Sequence, residues 1–294
     1  MKPVPVSSEN VTEFVHYCRR HGAEHDESFL PDETFVPTDE YPAYLLCDGR
    51  DVVGAMGLMR PPWLRKRGRA RLVIFHSAEP SLEAYATMLP AILPHVRGLR
   101  DIYGFLPEAN TDTRRHWETL GFTLERYAYL LAYLSREVPQ VVVPEGYSLT
   151  SLERDDEAGI CELCDLWNRN YAHQAGFVGA TPDYIRAVFD DESEYVPGGV
   201  LLLRHGEHPV GTAHVFRDNE DEQAAEIGML SVHPDYRGRG LGRLMLCKSL
   251  EVALHNGCHP VYLSVNAANE SAVSLYLSQG FTEDSVMACY SLAV

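Results

Sequence analysis

The residues best suited to chemistry stand in one short run, His233-Pro-Asp-Tyr-Arg237-Gly-Arg-Gly-Leu-Gly242, between an expected strand and an expected helix. Glycines alternating through such a turn let the backbone approach a phosphate with no Cβ in the way, while the helix behind them offers unpaired N–H groups and a positive dipole end. Each charge-assisted hydrogen bond contributes roughly 1.5–3 kcal/mol, so four or five would hold a pyrophosphate. Arg237, Arg239 and Arg243 add positive charge. A dinucleotide loop would need a glycine three positions after Gly240, where Arg243 stands, and a Walker loop would need Gly-Lys-Ser/Thr. A plain surface turn accounts for the glycines but not for the strand, helix and arginines around them.

The elements around this run alternate. Upstream lie an expected strand at 147–152, helices at 155–172 and 182–189, and strands at 199–203, 210–216 and 224–232. Downstream come a helix at 241–255, a strand at 260–265, a helix at 270–278 and a final strand pair at 281–292. This is a mixed α/β layer. The first half repeats the order, with helices at 8–21, 81–97 and 111–120 and strands at 43–47, 52–59, 71–76, 101–106 and 124–134. Asn110 is followed after seven positions by Trp117 and after eleven by Gly121-Phe122, as Asn269 is by Tyr276 and Gly280-Phe281, so two copies of one fold are expected. The Val138–Gly146 stretch sets the boundary, giving domains 1–136 and 137–294.

At this point the sequence resembles the GNAT superfamily of CoA-dependent N-acetyltransferases over residues 147–292. Arg237-x-x-Gly240-x-Gly242 looks like the family's Gln/Arg-x-x-Gly-x-Gly/Ala loop, and Asn269 to Phe281 like its second CoA motif. The resemblance implies two tandem GNAT folds, the first degenerate, in a layout similar to other two-domain members of the family. It implies acetyl-CoA as co-substrate, with Leu230, Ser231 and Val232 pairing with pantetheine. The amides of Arg237, Gly238, Arg239, Gly240, Leu241 and Gly242 would hold the pyrophosphate, and Asn269 and Tyr276 would complete the CoA site. Acetyl would pass to a primary amine by direct attack. A lysine-like amine, with a pKa near ~10.4, must first lose a proton. Glu226, eleven residues before Arg237, stands where the family's base stands, the Leu230 amide where an oxyanion donor is needed, and Tyr276 where the general acid protonates the leaving thiolate. His214 and His233 are alternative bases, each more often a structural histidine. A non-catalytic acyl-CoA sensor is the competing reading.

In the first half the turn after the 71–76 strand reads Ser77-Ala-Glu-Pro-Ser-Leu, glycine-free and acidic, and Trp117 stands in place of the tyrosine. Residues 1–136 are expected to keep the fold without binding CoA. The run Arg60 to Arg71 is expected to be a solvated basic hairpin loop.

Composition bounds the rest. The chain has 294 residues, 45% hydrophobic and 23% charged, enough for a sizeable core. Net charge is −17, which disfavours nucleic acid. It is uneven: residues 1–136 carry 16 Lys plus Arg against 18 Asp plus Glu, leaving 9 against 24 for the remainder. With the run Asp190 to Glu194 and the aromatic residues Trp167, Tyr171, His173 and Phe177, this points to a cationic small-molecule or peptide amine with an apolar portion. The seven cysteines are scattered, and Cys161-x-x-Cys164 lies in a helical pattern without a second ligand pair, so no metal is expected. A cytoplasmic monomer or homodimer without membrane contact is the default.

Overall fold

The computed structural model describes residues 1–79, 81–172, 179–218, 221 and 223–294. Contacts divide the chain into two units, Met1–Ala128 with Ser285–Val294, and Tyr129–Asp284.

The first unit runs β1 (Lys2–Pro5), α1 (Val11–Arg20), β2 (Ala43–Asp48), β3 (Asp51–Met59), α2 (Pro62–Lys66), β4 (Arg69–Ser77), α3 (Leu82–Ile92), β5 (Asp101–Pro107) and α4 (Thr111–Thr119), followed by β6 (Thr123–Tyr133), which enters the second unit at Tyr129. β1 to β4 are antiparallel neighbours, whereas β4 and β5 are parallel and joined through α3. Trp117, Tyr85, Phe75 and Phe122 fill the core beneath α3 and α4. The apolar spacing of α1 buries Phe14, Val15, Tyr17 and Cys18, as an amphipathic helix on a sheet must.

The second unit continues with β7 (Tyr147–Ser151), α5 (Glu157–Tyr171), α6 (Pro182–Phe189), β8 (Val200–His205), β9 (His208–Arg217), β10 (Ala225–Val232), α7 (Leu241–His255), β11 (Val261–Asn266) and α8 (Glu270–Ser278). The last strand, β12 (Thr282–Ala293), starts here and passes at Ser285 into the first unit. β7 to β10 are antiparallel and β10 and β11 parallel, joined through α7. The order and strand directions therefore repeat those of the first unit, which is the two-copy expectation in three dimensions.

Several boundaries depart from the sequence reading. The contact units are not a linear cut after residue 136, because Met287–Ala293 of β12 pair antiparallel with β5 and place Ala288 and Tyr290 in the first core. The stretch after β6 is not a free linker, since Val141 and Val143 pack on the cluster built by Leu201 and Leu203. A final strand pair was expected where one strand, β12, runs unbroken. The expected helix 81–97 gives way to a 3₁₀ turn at Leu93–Val96, because Pro94 has no N–H to continue the ladder. The basic hairpin loop contains the short helix α2, started by Pro62 in its first turn, where proline is favoured.

Candidate functional site

β10 carries the centre of the site. Its parallel ladder with β11 covers Ala225↔Val261 and Glu226↔Tyr262, and beyond Glu226 the two strands part. On the other edge the pairing with β9 shifts register between Gly228 and Ser231, with Met229 held at φ +50°. A bulge of this kind adds a residue to one strand and resets which face its side chains occupy. Ile227 accordingly packs on the α7 side with Leu246 and Leu250, while Met229 joins Leu163 and Ile185 on the α5 side. Leu230, inside the irregular stretch, is absent from the β9 register, whereas Ser231 and Val232 pair with Thr212 and Gly211.

At the end of β10 the chain turns through Pro234–Tyr236 into the glycine run. Gly238 and Gly240 have φ of +74° and +77°, a conformation costly for residues with a Cβ. A Cβ at either would meet nothing within 4 Å, so both face open space. Gly240 is also the N-cap of α7 and supplies no side-chain cap, which leaves the first-turn amides available. A Cβ at Gly242 would lie 3.4 Å from Leu275, an ordinary van der Waals contact. The three arginines are exposed but tethered: Arg237 Nε donates to the Val232 carbonyl at 3.0 Å, Arg239 to the Asp235 carbonyl at 2.9 Å, and Arg243 to Gln279 Oε1 at 2.7 Å. Leu241 is buried as the first core residue of α7. Asn269 caps α8, its side chain accepting from the Ala272 amide at 3.4 Å.

Glu226 is raised to about 7, by burial first and then by the negative charges of Asp218 and Glu194 and a hydrogen bond with Asp218. A carboxyl group in that range can accept a proton near neutrality. Tyr276 is buried, and burial together with the neighbouring Tyr171 pushes its phenol to about 12, so it stays protonated. Burial also raises Tyr171, with Arg237 opposing. Tyr171 thus lies within electrostatic reach of both Arg237 and Tyr276. It also packs on Trp167, ring centroids 4.3 Å apart, one helical turn back on α5. His173 and Phe177 lie outside the described residues.

His214 is buried between Phe189 and Phe216, and burial lowers it to about 4, which makes it a weak base. His233 Nδ1 accepts from the Asp235 amide at 3.4 Å and serves the turn. His214 and Phe216 pair in register with Gly228 and Glu226, on the same face of the sheet. A cleft there is lined by Leu152, Arg154, Phe189, Glu194, Tyr195 and His214. Of the acidic run Asp190–Glu194, Glu194 reaches this cleft, while Glu192 pairs with Arg154 and Asp191 with Ser193. Sequence reading missed Asp218 and, buried beside the bulge, Asn170, whose amide donates to Ser231 Oγ at 2.8 Å. Asn170 Oδ1 and Thr212 Oγ1 are buried without a partner among the described residues.

Residues 160–281 match the model of the acetyltransferase (GNAT) family. The mycothiol acetyltransferase of Thermobispora bispora is 30% identical over 163 residues, 53% of this chain and 54% of that protein. The mycothiol acetyltransferase of Geodermatophilus obscurus is 32% identical over 190 residues, 63% of this chain and 60% of that one. The chain thus spans between about half and 60% of the length of these curated relatives. Among solved structures, a GCN5-related N-acetyltransferase from Sphaerobacter thermophilus matches 99% of this chain and 95% of its own at a TM-score of 0.75 and 16% identity. A tandem GNAT protein from the clavulanic acid biosynthesis pathway matches 99% and 98% at 0.71 and 18%. At these identities the likeness is one of fold, and the fold is the tandem one. Among the described residues no helix is long and apolar enough to cross a membrane.

Proposed function

We propose, from the membership of residues 160–281 in the acetyltransferase (GNAT) family, that the second unit transfers acetyl from acetyl-CoA to a primary amine by direct attack in a ternary complex. The observation that carries this reading is one strand, β10, that parts from β11 immediately after Glu226 and ends on an uncapped, glycine-led helix. Amides from Arg237 to Gly242 hold the pyrophosphate, and the open main chain of Leu230, Ser231 and Val232 pairs with pantetheine, with Asn269 and Tyr276 on the other wall. Glu226 takes the proton of the incoming ammonium, directly or through water. The Leu230 amide stabilises the oxyanion as the amine nitrogen bonds to the thioester carbon. The carbon–sulfur bond then breaks, Tyr276, protonated at neutral pH, donates to the departing thiolate, and the second proton that the nitrogen loses as the amide forms restores the phenol directly or through water.

The acceptor is a cationic amine with an apolar portion. Glu194, Asp218 and Glu226 supply the negative end and Trp167 and Tyr171 the apolar one. The relatives' name makes amines of the mycothiol pathway the first class to offer. The first unit is a non-binding copy, so one acetyl-CoA per chain is its consequence. An amine-library screen that follows release of free CoA thiol tests the reading. Turnover with at least one amine is expected. Binding of acetyl-CoA with no acetylation across a broad panel would replace the enzyme with an acyl-CoA sensor.

A further inference from the structure

Away from the acetyl-CoA site, three side chains of metal-ligand type meet in the first unit. His21 caps the C-terminus of α1, Glu24 follows in the 3₁₀ turn Gly22–Glu24, and His76 stands one residue before the end of β4. His21 Nδ1 is 2.9 Å from Glu24 Oε1, and His76 Nε2 is 3.0 Å from Glu24 Oε2. The three donor atoms lie within 4.8 Å of one another. Around a tetrahedral zinc ion with bonds of about 2.0–2.1 Å, ligand atoms stand about 3.3 Å apart. Each imidazole nitrogen thus sits on its own oxygen of the Glu24 carboxylate, and the three donors within 4.8 Å of one another need draw together by at most about 1.5 Å to meet that spacing.

The surroundings hold these groups in place. His76 is buried, and the Tyr17 hydroxyl lies 2.9 Å from its Nδ1. That hydroxyl also accepts from the Ala78 amide at 3.0 Å and reaches the Val53 carbonyl at 3.3 Å. A phenol has one proton, so the network has two complete arrangements. In one, Tyr17 donates to His76 Nδ1 and His76 Nε2–H donates to Glu24. In the other, Tyr17 donates to Val53 and accepts from His76 Nδ1–H, which frees the Nε2 lone pair for a cation. A carboxylate or hydroxyl behind the distal ring nitrogen is the usual support of a metal-bound histidine. The Asn110 amide fixes the turn itself, donating to the Glu24 carbonyl at 2.6 Å.

A purely hydrogen-bonded cluster leaves one group unaccounted for. His25 is 4% exposed, and its Nε2 is buried with no partner among the described residues. Its Nδ1 lies 3.2 Å from the Asp26 carbonyl, and its ring centroid is 6.2 Å from that of His76. An imidazole nitrogen left unpaired in an interior beside the His76 ring is a donor without an acceptor or an acceptor without a donor, and either is costly. We propose that His21, Glu24 and His76 bind one zinc-class divalent transition metal ion, with water completing the coordination and the unpaired His25 Nε2 facing the same interior. Nitrogen-rich ligation excludes calcium and magnesium, which take oxygen. Half-exposed Glu24 leaves a path for entry. The expected absence of metal followed from reading along the chain, where Glu24 and His76 are 52 residues apart.

The site lies at the strand end that the internal repeat aligns with the start of the glycine run, and Asn110, which holds its turn, is the repeat counterpart of Asn269. The ion would tie the end of α1 to β4, a fold-stabilising clip in a copy that has lost its ligand.

The test uses tag-free full-length protein stripped with a chelator and titrated with Co²⁺ and Zn²⁺, followed by calorimetry and by the visible absorption of cobalt. One equivalent is expected to bind at micromolar concentration or tighter, with the intense bands of tetrahedral cobalt and no thiolate charge-transfer band. Glu24→Gln, at an exposed position, and His21→Asn, at a partly buried one, are each expected to weaken binding on the order of 10²-fold or more. Zinc is expected to raise the melting temperature of the parent and not of either variant. Absence of saturable binding at micromolar metal, equal affinity in parent and both variants, or a thiolate band that places the ion on cysteine would each overturn the proposal. Acetyl transfer does not enter any of these readouts.

Discussion

The two forks of the molecule, β4 against β5 and β10 against β11, begin alike and end differently. The first ladder covers Arg69↔Asp101 to Arg71↔Tyr103 and the second Ala225↔Val261 to Glu226↔Tyr262, and both pairs then part. In the first fork the gap is filled. Trp117 is 1% exposed, and a Cβ on Gly104 would lie 2.9 Å from its ring and 3.0 Å from Leu72. The following helix is closed too, since Ser81 Oγ accepts from the Ala84 amide at 3.2 Å and the Tyr17 hydroxyl from the Ala78 amide at 3.0 Å. In the second fork a glycine caps α7 with no side chain, and two left-handed glycines face open space. The same backbone plan thus serves either as core or as cradle. The choice rests on whether side chains of the chain itself satisfy the amides and fill the gap.

Substitutions that push one fork toward the other probe this contrast, and the largest effect is expected at the plug. Trp117→Ala removes a fully buried ring and should lower stability by about 3–5 kcal/mol in chemical denaturation, leaving acetyl-CoA affinity unchanged. A new second equivalent of acetyl-CoA in the variant would mean that the tryptophan alone had silenced the first fork. Gly240→Asp gives α7 the kind of side-chain cap that α3 already has, in a residue type that tolerates a left-handed backbone. Its carboxylate competes for the amides and repels the pyrophosphate. Losing one or two charge-assisted bonds should weaken acetyl-CoA on the order of 10²-fold by calorimetry.

Glu226→Gln keeps the shape of the second fork and removes the carboxylate proposed as its base. Turnover should fall roughly 10²-fold with acetyl-CoA affinity little changed, and unchanged turnover would retire Glu226 from that role. The smallest expected effect is on pH. A base works deprotonated, so kcat/KM should rise with pH toward a level reached just above the Glu226 value of about 7. Asp218→Asn removes a negative neighbour that holds this value up, and the acidic limb should move to lower pH by on the order of half a unit. A pH profile in which the limb stays in place would assign it to another group.

The second fork is legible in the sequence because its chemistry is local. Arg237 to Gly242 lie within six residues, and glycines alternating ahead of a helix serve few purposes besides holding an anion. The repeat is legible from Asn110 with Trp117 and Asn269 with Tyr276 for the same reason. What stays hidden depends on distant partners. Nothing along the chain shows that Asp218 and Glu194 converge on Glu226, since the turn after β9 and the approach to β8 supply them. The bulge at Met229 replaces an alternation that reads as an ordinary strand. Asn170 reads as one more polar residue on α5 until its contact with Ser231 is seen. The plug is half visible: Trp117 reads as a lost tyrosine, but its packing into Gly104 belongs to β5 and needs the fold.

The passage of β12 into the first unit has a temporal meaning. Ala288 and Tyr290 are fully buried in a core whose other buried members lie between Leu46 and Phe122, so that core is completed by residues made long after the rest. A ribosome releasing this chain from its start cannot finish the amino-terminal unit first, as it does for beads on a string. The nascent segment must wait, with that edge of β5 unpaired, until β12 emerges to close it.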